Sequence, residues 1–210
     1  MNDRAAIWDA VHRERRRLVQ DLEGISAERW RVPSLCPGWS VHDVLAHLID
    51  SATTTRLGFL RQMVSSRFDF DRANAGGVER HRSSDSQDTL AAFRAVTGRT
   101  DSPPASLATR LVEAYVHGED IRRPLGMTSD YPTEHVVTAL SYIARTGAGL
   151  GGGRARVDGL RLSPSDVDRH IGDGPEVRGS AISLLLATCG RPVRLGEVTG
   201  AGAMTLSARA

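Results

Sequence analysis

The feature that most constrains this chain is the step between its apolar residues. Ile7, Val11, Leu18, Leu22 and Ile25 follow one another at steps of four, seven, four and three. That is the period of a helix with one apolar face, and it excludes a strand, whose face repeats every second residue. The same rhythm returns in Val41, Val44, Leu45, Leu48, Ile49 and Ala52, and in Leu107, Ala108, Leu111, Val112, Tyr115 and Val116. Shorter versions run through Leu90, Ala91, Phe93 and Val96, and through Val136, Val137, Leu140 and Ile143. The spacing therefore predicts helices over 3–23, from Ser40 onward, over 86–98, from about Ser106 to before Pro124, and over 133–146.

Punctuation between these segments supports the division. Gly24, Pro33, Pro37 and Gly38 turn the chain between the first two helices while Trp30 and Trp39 add packing bulk. Ser40 followed by Asp43 has capping-box spacing and marks a helix start. Pro103-Pro104 precedes the helix from Ser106. Residues 65–84 are polar, contain glycine and are rich in Arg and Asp, and they read as a loop of about twenty residues, a lid or a functional wall.

At 147–153 the sequence is GAGLGGG, and beyond it the pattern becomes short and strand-like. Arg156 to Leu162 alternates apolar and polar residues. Val177 to Gly179 follows a Gly-Asp-Gly-Pro turn, and Ser180 to Cys189 is apolar enough for a buried helix. The expected organisation is a helical bundle over 1–147 and a small α+β domain over 154–210, too small to be stable alone.

Composition narrows the functional classes. Hydrophobic residues make up 40% and charged residues 25%, a balance that suits a folded chain rather than a disordered one. The 27 basic residues oppose 25 acidic ones for a formal charge of +2, and the signs are interspersed. No nucleic-acid footprint follows. The densest basic run, His12 to Arg17, reads as a solvated helix face. Every basic residue is Arg and none is Lys, a bias that points to a GC-rich genome of actinobacterial type. Cys36 and Cys189 lack Cys-x-x-Cys spacing and read as free, buried thiols. The N-terminus has no apolar h-region and no apolar run reaches about 18 residues, so the expected location is the cytoplasm, with no membrane partner.

Chemistry enters with Glu113 and His117. At positions i and i+4 of one helix they project to the same side, about 5–6 Å apart at Cβ, so one ion can bridge them. A divalent metal held well needs a third protein ligand and keeps open positions for water or substrate. His47 is the candidate third ligand. It sits in a well-capped helix on the side shared with Asp43 and Asp50, about 130° from its apolar stripe at 100° per residue. All three residues lie off the dry core, lining a polar cleft between helices or facing solvent. A Glu-x-x-x-His pair occurs on many helix surfaces and there requires no function. Asp43 is read as a cap before a partner of His47. No Gly-x-Ser-x-Gly is present, and the glycine tract does not follow a predicted strand, so neither a serine triad nor a phosphate loop is indicated.

The text around these residues carries a resemblance. PSLCPGWSVHDVLAHL, residues 33–48, resembles the second-helix signature of the mycothiol-dependent maleylpyruvate isomerase family, a branch of the DinB-like four-helix bundles. LVEAYVHGEDIRRPLG, residues 111–126, resembles that family's second metal motif. GDGPEVRGSAISLLLATCGRPV with EVTGAGA resembles its small C-terminal domain. The resemblance implies a mainly α fold, a DinB-like up-down four-helix bundle with a small α+β C-terminal domain. It further implies that His47, Glu113 and His117 bind a divalent metal, zinc by preference, with mycothiol as the thiol cosubstrate. Glutamate at 113, where relatives using other thiols carry histidine, favours the mycothiol branch. Arg191 is the positional match for an arginine that handles substrate, although an arginine closing a helix C-terminus satisfies the same spacing. Asp120 orients a ligand imidazole or finishes the helix through nearby backbone.

The implied activity is that of an S-transferase or isomerase in which the ion lowers the pKa of a low-molecular-weight thiol and the thiolate adds to a small electrophile. Two rivals stand beside it: a non-catalytic protein that binds a thiol, metal or small ligand, and a metal-dependent hydrolase.

Overall fold

A computed structural model describes residues 4–209. The described chain divides into two compact units, one ending at Ser129 and the other beginning at Asp130.

The first unit contains α1 (Arg4–Leu22), α2 (Ala27–Trp30), α3 (Val41–Thr53), α4 (Arg56–Ser65), α5 (Phe70–His81), α6 (Ser86–Val96) and α7 (Ala108–Arg122). Helices α1 and α3 each pack against both α6 and α7, which makes these four a bundle, as the helical periods predict. Its core gathers Leu18, Leu22, Val44, Leu45, Phe93 and Ile121, with Trp30 of α2 plugged in at 1% exposure. Each belongs to an apolar stripe read from the sequence except Ile121, which extends the buried face of α7, and Trp30, which closes the turn between α1 and α3. Ser40 forms the full capping box of α3: its Oγ accepts from Asp43 N, and Asp43 Oδ2 accepts from Ser40 N at 2.9 Å.

Residues 65–84 are not a long loop. Thr55 caps α4 through Gly58 N, Asp69 caps α5 through Arg72 N, and a turn with positive φ at Arg67 and Phe68 joins them. Helix α5 lies on α3. Its anchor is polar: Asp50 of α3 pairs with Arg80 at 2.9 Å and His81 at 3.5 Å, and accepts from Gln62 of α4 at 3.2 Å. A Cβ on Gly77 would fall 2.4 Å from Asp50 Oδ2, so glycine is what lets α5 approach. A helix held this way has little apolar period to betray it.

The second unit contains α8 (Thr133–Ile143), a 3-10 turn (Ala148–Leu150), α9 (Arg154–Val157), β1 (Arg161–Pro164), β2 (Glu176–Gly179), α10 (Ala181–Thr188), β3 (Val198–Thr199) and α11 (Ala203–Ala208). Strand β1 pairs parallel with β2, Leu162 opposite Val177, and β2 pairs antiparallel with β3. Helix α10 covers this small sheet and packs on α8.

Three expectations are corrected here. The glycine tract is an internal turn of the second unit, so the boundary falls at 129/130 rather than between 147 and 154. Gly153 N donates to Ile143 O, and Arg154 N to Thr146 O. A Cβ on Gly152 would lie 2.0 Å from Thr146 O and one on Gly153 2.3 Å from Thr188 O, so these two glycines serve close packing and not slack. The alternating stretch 156–162 splits into the end of α9 and the start of β1. Neither Cys36 nor Cys189 forms a disulfide, as expected, and both are only partly buried. Among the described residues no helix is long and apolar enough to cross a membrane.

Candidate metal centre

The capping box fixes where α3 begins, and His47 follows two turns later on its polar side. His117 comes from α7, which packs against α3. The two imidazoles meet edge to face with centroids 4.9 Å apart and planes at 80°. Trp39, at the end of the turn before α3, stands 5.1 Å from the His47 ring on another side. Backbone ties this turn to α7, because Leu35 N donates to Asp120 O at 3.1 Å.

Each imidazole is prepared differently. Burial, then the neighbouring His117, pulls the pKa of His47 down to about 4, so it is neutral near pH 7. Its Nδ1 is buried without a hydrogen-bond partner. His117 Nδ1 lies 2.9 Å from Oδ2 of Asp120, which is fully buried. A carboxylate can only accept, so Nδ1 is the donor in this contact and Nε2 is the nitrogen left for another partner. Of the two roles open to Asp120, this contact is the geometry that orienting the imidazole requires.

Glu113 is 8% exposed, on the same side of α7. Ser51 Oγ donates to its Oε2, Arg110 Nη1 lies 2.8 Å from that oxygen, and Arg15 Nη2 is 3.7 Å from Oε1. Burial alone would push this carboxyl up, but the charges of Arg110 and Arg15 and the Ser51 hydrogen bond outweigh it, and its pKa is lowered. Glu113 is thus an ionised carboxylate inside the bundle, electrostatically coupled to His47.

Sequence reading missed Arg15, Ser51 and Arg110. Arg15 lay hidden in the run His12–Arg17, which is not one solvated face: Glu14 and Arg15 are buried, at 5% and 2%, while Arg13 and Arg16 are exposed. The run crosses from the outside of α1 to its contact with α7. The i,i+3 spacing of Arg110 and Glu113 was the available signal.

Among the described residues no three His, Cys, Asp or Glu side chains are grouped closely enough to hold an ion as they stand. The donor chemistry nevertheless fits a divalent metal. His47 Nδ1 and Glu113 Oε1 are buried atoms that accept no hydrogen bond. His117 has the carboxylate-backed imidazole usual for metal ligands. Two nitrogens and one carboxylate oxygen suit zinc. Of the other histidines, His42 is buried, with Nε2 2.8 Å from Thr89 Oγ1, His12 Nε2 is 3.1 Å from Arg99 O, and His81 pairs with Asp50.

Arg191 stands in the second unit just past α10. Gly190, at φ 73°, and Arg191 close that helix, Gly190 N donating to Ala187 O and Arg191 N to Leu186 O, and the Arg191 guanidinium donates to Cys189 O at 3.2 Å. This is the helix-closing geometry that its spacing also allowed.

Bundle and imidazole pair together define a class: helical-bundle proteins in which two facing helices bring paired imidazoles beside a buried carboxylate. The chain belongs to the family described as mycothiol maleylpyruvate isomerase N-terminal domain, whose model matches residues 11–122. Two solved structures share the fold, the mycothiol-dependent maleylpyruvate isomerase and a histidine-to-alanine mutant of it, with TM-scores of 0.67 and 0.66. In each case 95% of this chain and 93% of the other are covered, at 14% identity. No curated protein sequence matches this one.

Proposed function

We propose that this protein is a metal-dependent, mycothiol-using S-transferase or isomerase of a small electrophile, with His47, Glu113 and His117 as ligands of a divalent ion, zinc by preference. The observation that carries the reading is the meeting of His47 and His117 rings 4.9 Å apart, one neutral by burial and the other backed by Asp120. Membership of the family supports mycothiol as the thiol.

When bound, the ion supplies a positive charge that lowers the pKa of a thiol from about 8.5 to below neutrality. The chain's own residues prepare for this. His47 offers a lone pair without first losing a proton. Asp120 holds His117 in the tautomer whose Nε2 can donate electrons. Glu113 supplies one negative charge toward the ion, and Trp39 shields His47 from water on one side. An electrophile receiving the thiolate is released after rotation about its former double bond in an isomerase, or kept as the adduct in a transferase. Arg191 is assigned to handling the substrate.

Elemental analysis of protein purified without a histidine tag, beside His47→Ala, tests the ligand set. The parent is expected to hold near-stoichiometric metal and the variant to lose most of it; equal occupancy removes His47. Consumption of an electrophile with mycothiol, with and without chelator, tests the reaction. Activity that needs the ion but no thiol makes the protein a hydrolase instead, and thiol binding without turnover makes it a binding protein.

A further inference from the structure

The two oxygens of Glu113 are held unequally. Oε2 accepts from Ser51 Oγ and pairs with Arg110 Nη1 at 2.8 Å. Arg110 Nη1 also donates to Ser51 Oγ at 2.8 Å and to the Ser51 carbonyl at 3.2 Å. Three side chains thus close a ring across the contact between α3 and α7. Oε1 accepts no hydrogen bond. Arg15 Nη2 is 3.7 Å from it, beyond hydrogen-bond reach.

Spacing gives this ring a direction. Ser51 is four residues beyond His47 on α3, so the two share a face. On α7, Arg110, Glu113 and His117 follow at steps of three and four and share another. The ring joins Ser51 to Glu113 one turn along from where His47 meets His117. One guanidinium nitrogen, Nη1, faces the carboxylate, the hydroxyl and the carbonyl together, and the rigid planar group holds that nitrogen more firmly than a flexible stem holds an ammonium.

We propose that Arg110 and Ser51 are positioning residues for Glu113. They pin Oε2 to α3 and leave Oε1 as the oxygen available to a cation shared with His47 and His117. The inference rests on the metal reading above. Its physical content is preorganisation: a carboxylate already oriented pays less ordering cost when the cation arrives. Arg15, whose Nη2 stands 3.7 Å from Oε1, is outside the ring that Ser51 and Arg110 close on Oε2 and adds positive charge beside the site.

The test is zinc affinity of the full chain, measured by competition with a chromogenic chelator, with a thermal melt of each metal-free protein alongside. Ser51→Ala and Arg110→Met are each expected to weaken zinc about 10–100-fold, the usual effect of removing a group that orients a ligand. Arg110→Lys recovers part of the loss, and Arg15→Met binds at least as tightly as the parent. If Arg110→Met does not fold, Ser51→Ala decides. Lower melting temperatures with unchanged affinity overturn the proposal, as does equal weakening by Arg15→Met. A parent chain that binds no zinc overturns both this inference and the proposed function; a parent that binds while Ser51→Ala and Arg110→Met match it overturns this inference alone.

Discussion

Glu14 and Arg122 bury opposite charges between α1 and α7, and Asp21 completes the set at 2.7 Å from Arg122 Nε. Burial outweighs the attraction to Arg122 and pushes the Glu14 carboxyl up from 4.5 to about 7. The folded protein therefore holds this proton more tightly than the unfolded chain does. Its contribution to stability is complete below pH 4.5 and is lost as pH rises toward 7. Replacing Glu14 by Gln should remove that slope. Urea unfolding at about pH 5 and about pH 8 should show the parent losing on the order of 1–3 kcal/mol more than Glu14→Gln. His47 and Glu113 act in the opposite sense, since their lowered pKa values make acid the destabilising direction, and the comparison of parent with variant cancels them. Equal pH slopes in the two proteins would show that Glu14 is ionised throughout.

Among the secondary-structure elements, α3 is the one that the candidate metal centre depends on most, because it carries both His47 and Ser51. Its capping box orders the first turn and so sets the rotation at which His47 and Ser51 emerge. Ser40→Ala should cost about 1 kcal/mol of stability in denaturant unfolding, the usual worth of a cap. No change would mean that packing of the apolar stripe positions the helix unaided. The contrast between α3 and α5 explains what could be read in advance. Helix α3 announces itself through a local cap and a continuous stripe, both visible within thirteen residues. Helix α5 has Gly76 and Gly77 in its middle and binds through Asp50, Arg80 and His81, so its partner lies about thirty residues away and its own pattern is silent. The glycine tract misled for a related reason: composition alone does not distinguish glycines that loosen a chain from glycines such as Gly153 that let two backbones touch.

For the molecule as a whole, the charge of Glu113 is balanced from within. Arg110 and Arg15 neutralise it without an added ion, and the apolar core built on Leu22, Leu45 and Phe93 is complete beside it. Exhaustive treatment with a chelator should therefore leave the far-UV circular dichroism intact, unlike small domains whose folding is driven by zinc. Loss of the helical signal would show that the ion is part of the fold. Helices α1, α3, α6, α7 and α8, the cap of α3 and the Glu113–His117 spacing were legible from residue order alone, because each depends on neighbours within a turn or two. The pairing of His47 with His117, the burial of Arg15 and the clamp on Glu113 were settled by packing. A charged side chain is placed inside or outside by the partner that can neutralise it, and here that partner comes from a distant part of the chain.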